Sequence, residues 1–153
     1  MHTDRLLASR QHGFTLIEIM VVVVIIGILI GLVAPNILGR VDESRVTAAR
    51  TDISTLESAL EMYRLDNKHY PSTDQGLDAL VVKPGGLPEP RKWNPDGYLK
   101  KGKIPKDPWG NDYLYVSPGS NRQPFEIYSL GADGRDGGDG IDADIYNWQE
   151  TEN

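Results

Sequence analysis

Residues 14–33 form an unbroken apolar run, FTLIEIMVVVVIIGILIGLV, in which Glu18 is the only charged member. A helix rises about 1.5 Å per residue, so a run of this length can cross the roughly 30 Å hydrocarbon core of a bilayer. That feature divides the chain. Of the 153 residues, about 120 follow the run, enough for one modest core and too few for two domains. Ahead of it stands a short polar segment, MHTDRLLASRQHG, with Arg5 and Arg10. Positive charge on that side predicts a cytoplasmic N-terminus. An ordinary secretory signal carries its cleavage site after the apolar stretch. Here the candidate junction, Gly13-Phe14, precedes it.

Past the run, Pro35 interrupts the helical pattern, with Gly27, Gly31 and Gly39 as further weak points. A proline inside a helix removes one main-chain bond and usually kinks the axis. The pattern then resumes, because Val46, Ala49, Ile53, Leu56, Leu60 and Tyr63 repeat at alternating spacings of three and four. Charged residues fill the other faces, which predicts one apolar stripe suited to packing on a sheet. The expectation is a single helix from Phe14 to about Leu65, half in membrane and half in water. Gly27 and Gly31 have the spacing that permits close helix contact, and equally that of two glycines facing lipid.

From Asp66 onward prolines and glycines crowd in. A short helix is expected at 72–82, with Ser72 or Thr73 as its cap and Leu77, Leu80 and Val81 on its buried side. Residues 113–116 and 125–130 are rich in aromatic and branched side chains, with turn residues between them. They predict an antiparallel pair. The fold class expected is therefore α+β: a long N-terminal transmembrane and amphipathic helix packed on a small antiparallel sheet of two or three strands. Its divisions are a leader at 1–13, a membrane part at 14–34, an amphipathic part at 35–65 and a globular part at 66–153.

Glu18 has two readings on physical grounds. A carboxylate one turn inside the membrane edge is favoured by the helix dipole. Ionisable groups in spans are also costly and usually find partners. The stretch Gly13-Phe14-Thr15-Leu16-Ile17-Glu18 resembles the processing motif of type IV pilins and pseudopilins. The resemblance implies cleavage after Gly13 by a prepilin peptidase, methylation of the new N-terminal Phe14, and pairing of Glu18 with the Phe14 amine of a neighbouring subunit.

The likeness continues through Tyr70-Pro71-Ser72-Thr73, Gln75-Gly76-Leu77, Trp93, Gly97-Tyr98-Leu99, the 105–111 segment PKDPWGN, the 129–134 segment SLGADG, and Ala143-Asp144-Ile145. Taken in order, these are similar to the major pseudopilins of the bacterial type II secretion system. The resemblance implies a non-enzymatic filament subunit in the inner membrane with its globular part in the periplasm. Its partners would be copies of itself through the N-terminal helix, minor pseudopilins, the inner-membrane assembly platform, prepilin peptidase and membrane lipid. The chain departs from the family pattern at Asp112, where proline is common, and at Tyr146, where glycine is expected.

The C-terminal region is acidic. Asp133, Asp136, Asp139 and Asp142 recur every third residue among glycines, and Asp144 follows. Oxygen-rich, glycine-rich loops suit calcium. The chain has no cysteine, and its histidines stand at 2, 12 and 69, so the loop offers no soft or imidazole ligands. The spacing is not that of an EF-hand, and a solvated acidic turn is the other reading. The family resemblance implies a structural calcium held by the Leu130 carbonyl and the carboxylates of Asp133 and Asp144. Asp142 or Asp139 would supply the rest, the Arg135 carbonyl is a further candidate, and Asp136 is solvated.

Two other classes compete. An adhesive or DNA-uptake pilin often closes its C-terminal region with a disulfide, which this chain cannot form. A membrane-anchored hydrolase would need a nucleophile or an acid–base pair, and His69 has no such company in the sequence. A net charge of −6 argues against nucleic-acid binding through phosphate neutralisation. The three tryptophans are expected to pack a small core. Lys100, Lys101, Lys103 and Lys106 are expected on a solvated face, with an acidic neighbouring subunit as the alternative partner.

Overall fold

The computed structural model describes residues 14–120 and 122–149, with the backbone alone for 32–39. The leader, and Gly13 with it, lies outside the described residues.

The apolar run and the amphipathic segment form one helix, α1 (Leu16–Asn67), of 52 residues. Its backbone stays helical through Pro35. A proline forfeits one main-chain bond at a cost of roughly 3 kcal/mol, which does not divide a helix propagated from both sides. α1 ends where Lys68 turns left-handed at φ 71 and donates its N–H to the Arg64 carbonyl, 2.7 Å away. Asn67 is fully buried there. Its amide donates to the Tyr63 carbonyl and the Tyr98 hydroxyl, and its Oδ1 accepts from the Lys92 N–H.

Packing separates the chain into two units, divided between Arg40 and Val41. In the first, large apolar side chains from Leu16 to Ile30 are exposed. Among the described residues no stretch of helix is long and apolar enough to cross a membrane. Within the helix, the described side chains of the run are those of 16–31, about 24 Å at 1.5 Å per residue against a core of roughly 30 Å.

The second unit has its own core. The stripe read from the sequence is its helical wall, with Ala49, Ile53, Leu56, Leu60 and Tyr63 buried and Val46 half-buried. Opposite it lies a sheet of β1 (Leu114–Val116), β2 (Glu126–Ser129) and β3 (Ile145–Tyr146). The order is β1-β2-β3, antiparallel throughout, with Leu114 facing Tyr128 and Tyr128 facing Tyr146. Tyr115, Phe125, Ile127 and Ile145 join the core. Polar links tie helix to sheet at its edges: the Tyr113 hydroxyl donates to Asp52 at 3.1 Å and the Asn147 amide to Glu57 at 2.9 Å. Burial, reinforced by the Asp52 carboxylate, pushes the Tyr113 phenol up in pKa.

The short helix differs from expectation. Ser72 and Gln75 do form a reciprocal cap, each side chain accepting the other's N–H. The chain then leaves helical geometry at Gly76, φ 60, and only a 3-10 turn at Leu77–Leu80 follows. Leu77, Ala79 and Leu80 are its buried side chains.

Two of the tryptophans pack against the core, Trp93 donating to the Ala79 carbonyl. Trp148 does not, and remains 44% exposed. It stacks on Tyr146, which stacks in turn on Tyr128. Neighbouring aromatics on one sheet face find each other laterally when no second layer covers them. His69 sits in a loop with both ring nitrogens near carbonyls, those of Tyr70 and Glu89. All four lysines of the 100–106 cluster are exposed.

Candidate functional site

Two places carry the chemistry expected from the sequence, the start of α1 and the loop between β2 and β3.

At the helix start, Thr15 and Glu18 form a capping box. The Glu18 N–H donates to Thr15 Oγ1 at 3.3 Å, and the Thr15 N–H donates to Glu18 Oε2 at 3.4 Å. Each side chain satisfies one of the N–H groups that a helix leaves without an internal partner. The signature Thr-x-x-Glu was present in the sequence and gives Glu18 a partner within its own chain. Phe14 and Glu18 are both exposed.

The acidic loop closes on itself through its backbone. Ala132 N–H donates to the Ile141 carbonyl at 2.9 Å, and Asp144 N–H to the Gly137 carbonyl at 3.2 Å. A 3-10 turn at Gly140–Asp142 lies between them. The two limbs run so close that a Cβ on Gly131, which has φ 65, would fall 2.7 Å from the Asp142 carbonyl carbon. Only glycine meets both the conformation and the spacing.

Within this frame Asp144 is half-buried. Its Oδ2 accepts from the Gly137 N–H at 3.0 Å and the Tyr146 hydroxyl at 3.3 Å. Its Oδ1 is buried and, among the described residues, accepts nothing. Burial, with the Asp144 carboxylate next in importance, raises the Tyr146 phenol. Asp142 and Leu130 are half-buried, while Asp133, Arg135, Asp136 and Asp139 are exposed, and Asp133 Oδ1 accepts from the Arg135 N–H. Among the described residues no three acidic or histidine side chains converge on one point. Like charges held in one short loop repel each other and stay apart.

A buried carboxylate oxygen without a donor costs about 1–3 kcal/mol or more. A hard cation would satisfy it, and the loop offers oxygen donors only, as calcium prefers. The residues present thus fit calcium at Asp144, with the loop carbonyls and remaining carboxylates as supplementary donors.

Beneath the loop lies a group of residues that carried no functional reading in the sequence. Asp107 is buried at 4% exposure and accepts hydrogen bonds from Ser129 and Asn111, which in turn bond Gly131. Polar residues among prolines and aromatics signal a turn, and nothing in their spacing shows what the turn supports.

Comparison with known proteins agrees with this architecture. A profile of the prokaryotic N-terminal methylation motif matches residues 8–34. A profile described as type II secretion system (T2SS), protein G matches residues 36–148. The chain belongs to the type II secretion system protein G family. The type II secretion system core protein G of Pseudomonas aeruginosa is 60% identical over 139 residues, 91% of this chain and 96% of that one. Its counterpart in Vibrio cholerae is 56% identical, covering 91% and 92%. The crystal structure of the major pseudopilin from the type 2 secretion system of enterohaemorrhagic Escherichia coli matches with a TM-score of 0.64 at 45% identity, covering 74% of this chain and 95% of that one. The long helix on a small antiparallel sheet is therefore the fold of this protein G family member.

Asp112 and Tyr146, expected from the sequence to depart from the family pattern, each make contacts here. Asp112 accepts an ion pair from Lys106 at 2.8 Å across an isolated bridge between the two residues. Tyr146 supplies the middle ring of the aromatic stack and a hydroxyl for Asp144.

Proposed function

We propose that this chain is the major pseudopilin of a type II secretion system, polymerising through α1 into a periplasmic filament that drives export across the outer membrane. The observation that carries the reading is a division within one helix. The second half of α1 is built into a globular unit, while the first half presents large apolar side chains that are exposed among the described residues. A helix that is apolar all round needs lipid or other helices around it. Lipid serves before assembly, and copies of the same helix serve after it.

In this reading a prepilin peptidase cuts after Gly13 and methylates Phe14, and the subunit waits in the inner membrane with its globular part in the periplasm. Minor pseudopilins and an inner-membrane platform are its assembly partners. Glu18 then exchanges its contact with the Thr15 N–H for the Phe14 amine of a neighbour. In this proposal an amine partner in apolar surroundings serves the carboxylate better than a single backbone N–H at 3.4 Å.

The acidic loop is a structural calcium site in the same proposal, held by Asp144, Asp133 and the Leu130 carbonyl, with Asp142 or Asp139 completing the set. The bound ion supplies positive charge that cancels repulsion among five carboxylates and satisfies Asp144 Oδ1. Gly131 and Gly138 let the loop backbone approach Asp142 closely.

The test replaces Glu18 by Ala in a secretion-competent strain. The variant is expected to insert and be trimmed to Phe14, yet to yield few filaments and little exported protein. Normal filament yield would remove the pairing role. Failure of the unaltered chain to restore export in a strain lacking its own major pseudopilin would remove the whole reading. For calcium, titration calorimetry of the full chain in detergent is expected to give one site. A hundredfold excess over Kd should add about 2.7 kcal/mol of stability. Asp144→Ala abolishes that gain, and Asp136→Ala keeps it.

A further inference from the structure

The loop's first two peptide planes are fixed from below. Asp107 accepts the N–H groups of Trp109, at 3.0 Å, and Asn111, at 2.8 Å, on its Oδ1. Its Oδ2 accepts the Ser129 hydroxyl at 2.6 Å. Ser129 is fully buried, and its Oγ in turn accepts the Gly131 N–H at 3.2 Å. From the same turn, the Asn111 amide donates to the Gly131 carbonyl at 3.2 Å. The Asn111 side chain also lies under Gly134, where an added Cβ would sit 3.6 Å from its Oδ1.

Gly131 is thus held by both its N–H and its C=O. The Gly131 N–H shares one rigid plane with the Leu130 carbonyl, and in a trans peptide the two point in opposite directions. Anchoring the N–H on Ser129 therefore aims the Leu130 oxygen away from the Ser129 hydroxyl. The Gly131 carbonyl shares the next plane with the Ala132 N–H, which is itself bonded to the Ile141 carbonyl across the loop. The first plane is set by the buried Asp107 through Ser129, and the second by Asn111, whose own N–H is bonded to Asp107.

We propose that the 107–111 turn is the positioning floor of the calcium site: Asp107 acting through Ser129, and Asn111 acting directly, fix the Leu130 and Gly131 carbonyl directions before the ion arrives. This rests on the calcium reading above. Its consequence is specific. A loop whose carbonyls are aimed in advance binds with less ordering cost, so loss of the floor weakens affinity even when the protein remains folded. Supporting partners of ligands typically change metal affinity by about 10–100-fold when removed.

The experiment compares the full chain in detergent with Ser129→Ala, Asn111→Ala and, as a control, Asn67→Ala. Asn67 makes its buried hydrogen bonds to Tyr63, Tyr98 and Lys92 instead of the loop. Calcium Kd is read by titration calorimetry well below the calcium-free melting temperature, with near-ultraviolet circular dichroism reporting the fold. Ser129→Ala and Asn111→Ala are expected to raise Kd roughly tenfold or more. Asn67→Ala is expected to lower the melting temperature and leave Kd within about twofold, because distant sites act independently. Should Ser129→Ala fail to fold, the half-buried Asn111 carries the test, and Asn111→Gln, which keeps the amide donor, should recover part of the affinity. Unchanged Kd in a folded Asn111→Ala overturns the positioning role while leaving the calcium site standing. No binding by the unaltered chain overturns both.

Discussion

The two halves of α1 share one backbone geometry and meet opposite conditions. From Leu16 to Ile30 large apolar side chains occupy every face and are exposed. From Ala49 to Tyr63 they occupy one stripe, and that stripe is buried against the sheet and the turns that follow. The difference shows that helix formation and helix burial are separate problems. Continuous helical propensity settles the first along all of α1, while the width of the apolar face sets what must cover each half. The narrow stripe is completed by the chain's own fold, and the full cylinder requires something outside it.

The comparison breaks most directly through matched truncations. Leu56→Ala removes a fully buried side chain and is expected to cost about 2–5 kcal/mol. Ile25→Ala removes an exposed one and is expected to leave unfolding of the globular unit within about 0.5 kcal/mol. Denaturant unfolding in detergent, followed by near-ultraviolet circular dichroism, measures both. An equal loss at Ile25 would mean that the halves unfold as one cooperative body.

A smaller effect is expected where the second half is bonded to the sheet. Tyr113→Phe leaves Asp52 without its donor and should cost about 1–3 kcal/mol. The same loss in Asn147→Ala at Glu57 would identify the polar edges, along with the apolar stripe, as holding helix to sheet.

The end of the amphipathic half sharpens the contrast through pH. The Tyr70 hydroxyl donates to Glu61 in a short hydrogen bond, and Arg64 pairs with Glu61 and lies over the Tyr70 ring. The bond from Tyr70 holds the Glu61 carboxyl below its ordinary 4.5, against the opposing effect of burial. Burial, then the Glu61 bond, pushes the Tyr70 phenol up from 10.0 to about 12. A lowered acid stabilises the fold above its unfolded value and loses that contribution as pH falls through the folded one. A raised phenol stabilises below 10.0 and loses its contribution as pH rises through about 12. Tyr70→Phe should therefore cost about 1 kcal/mol between those limits. The cost should shrink as pH falls below 4.5, as melting curves across pH would reveal.

The smallest effect belongs to the exposed half. Thr15→Ala removes one side of the capping box, worth about 1 kcal/mol of local helix stability. Hydrogen exchange should quicken at the Glu18 amide, while the melting temperature of the globular unit stays fixed. A fall in that temperature would tie the helix start to the distant core.

Much of this was legible in the residues. The run at 14–33, the stripe from Val46 to Tyr63 and the two aromatic strands gave the fold class, because period and length reflect local geometry. Other features were hidden by long-range packing. The short helix shrank to a 3-10 turn because Gly76 left helical φ, and Trp148 went to an aromatic stack on Tyr146 instead of the core. Asp107 and Asn111 looked like turn residues, and turn chemistry does not say which loop a turn will meet.

Sequence by itself determined that α1 is one helix with two kinds of surface and that an oxygen-rich loop lies between the last two strands' segments. These follow from composition and spacing over neighbouring residues, where the physics is local. Only the tertiary structure decided that Asp144 keeps a buried oxygen without a donor among the described residues and that Gly131 is gripped by a turn some twenty residues earlier. Both arise when β2 and β3 pair and draw the loop down onto the 107–111 turn. Desolvation and hydrogen bonding between distant segments exist only after that contact has formed.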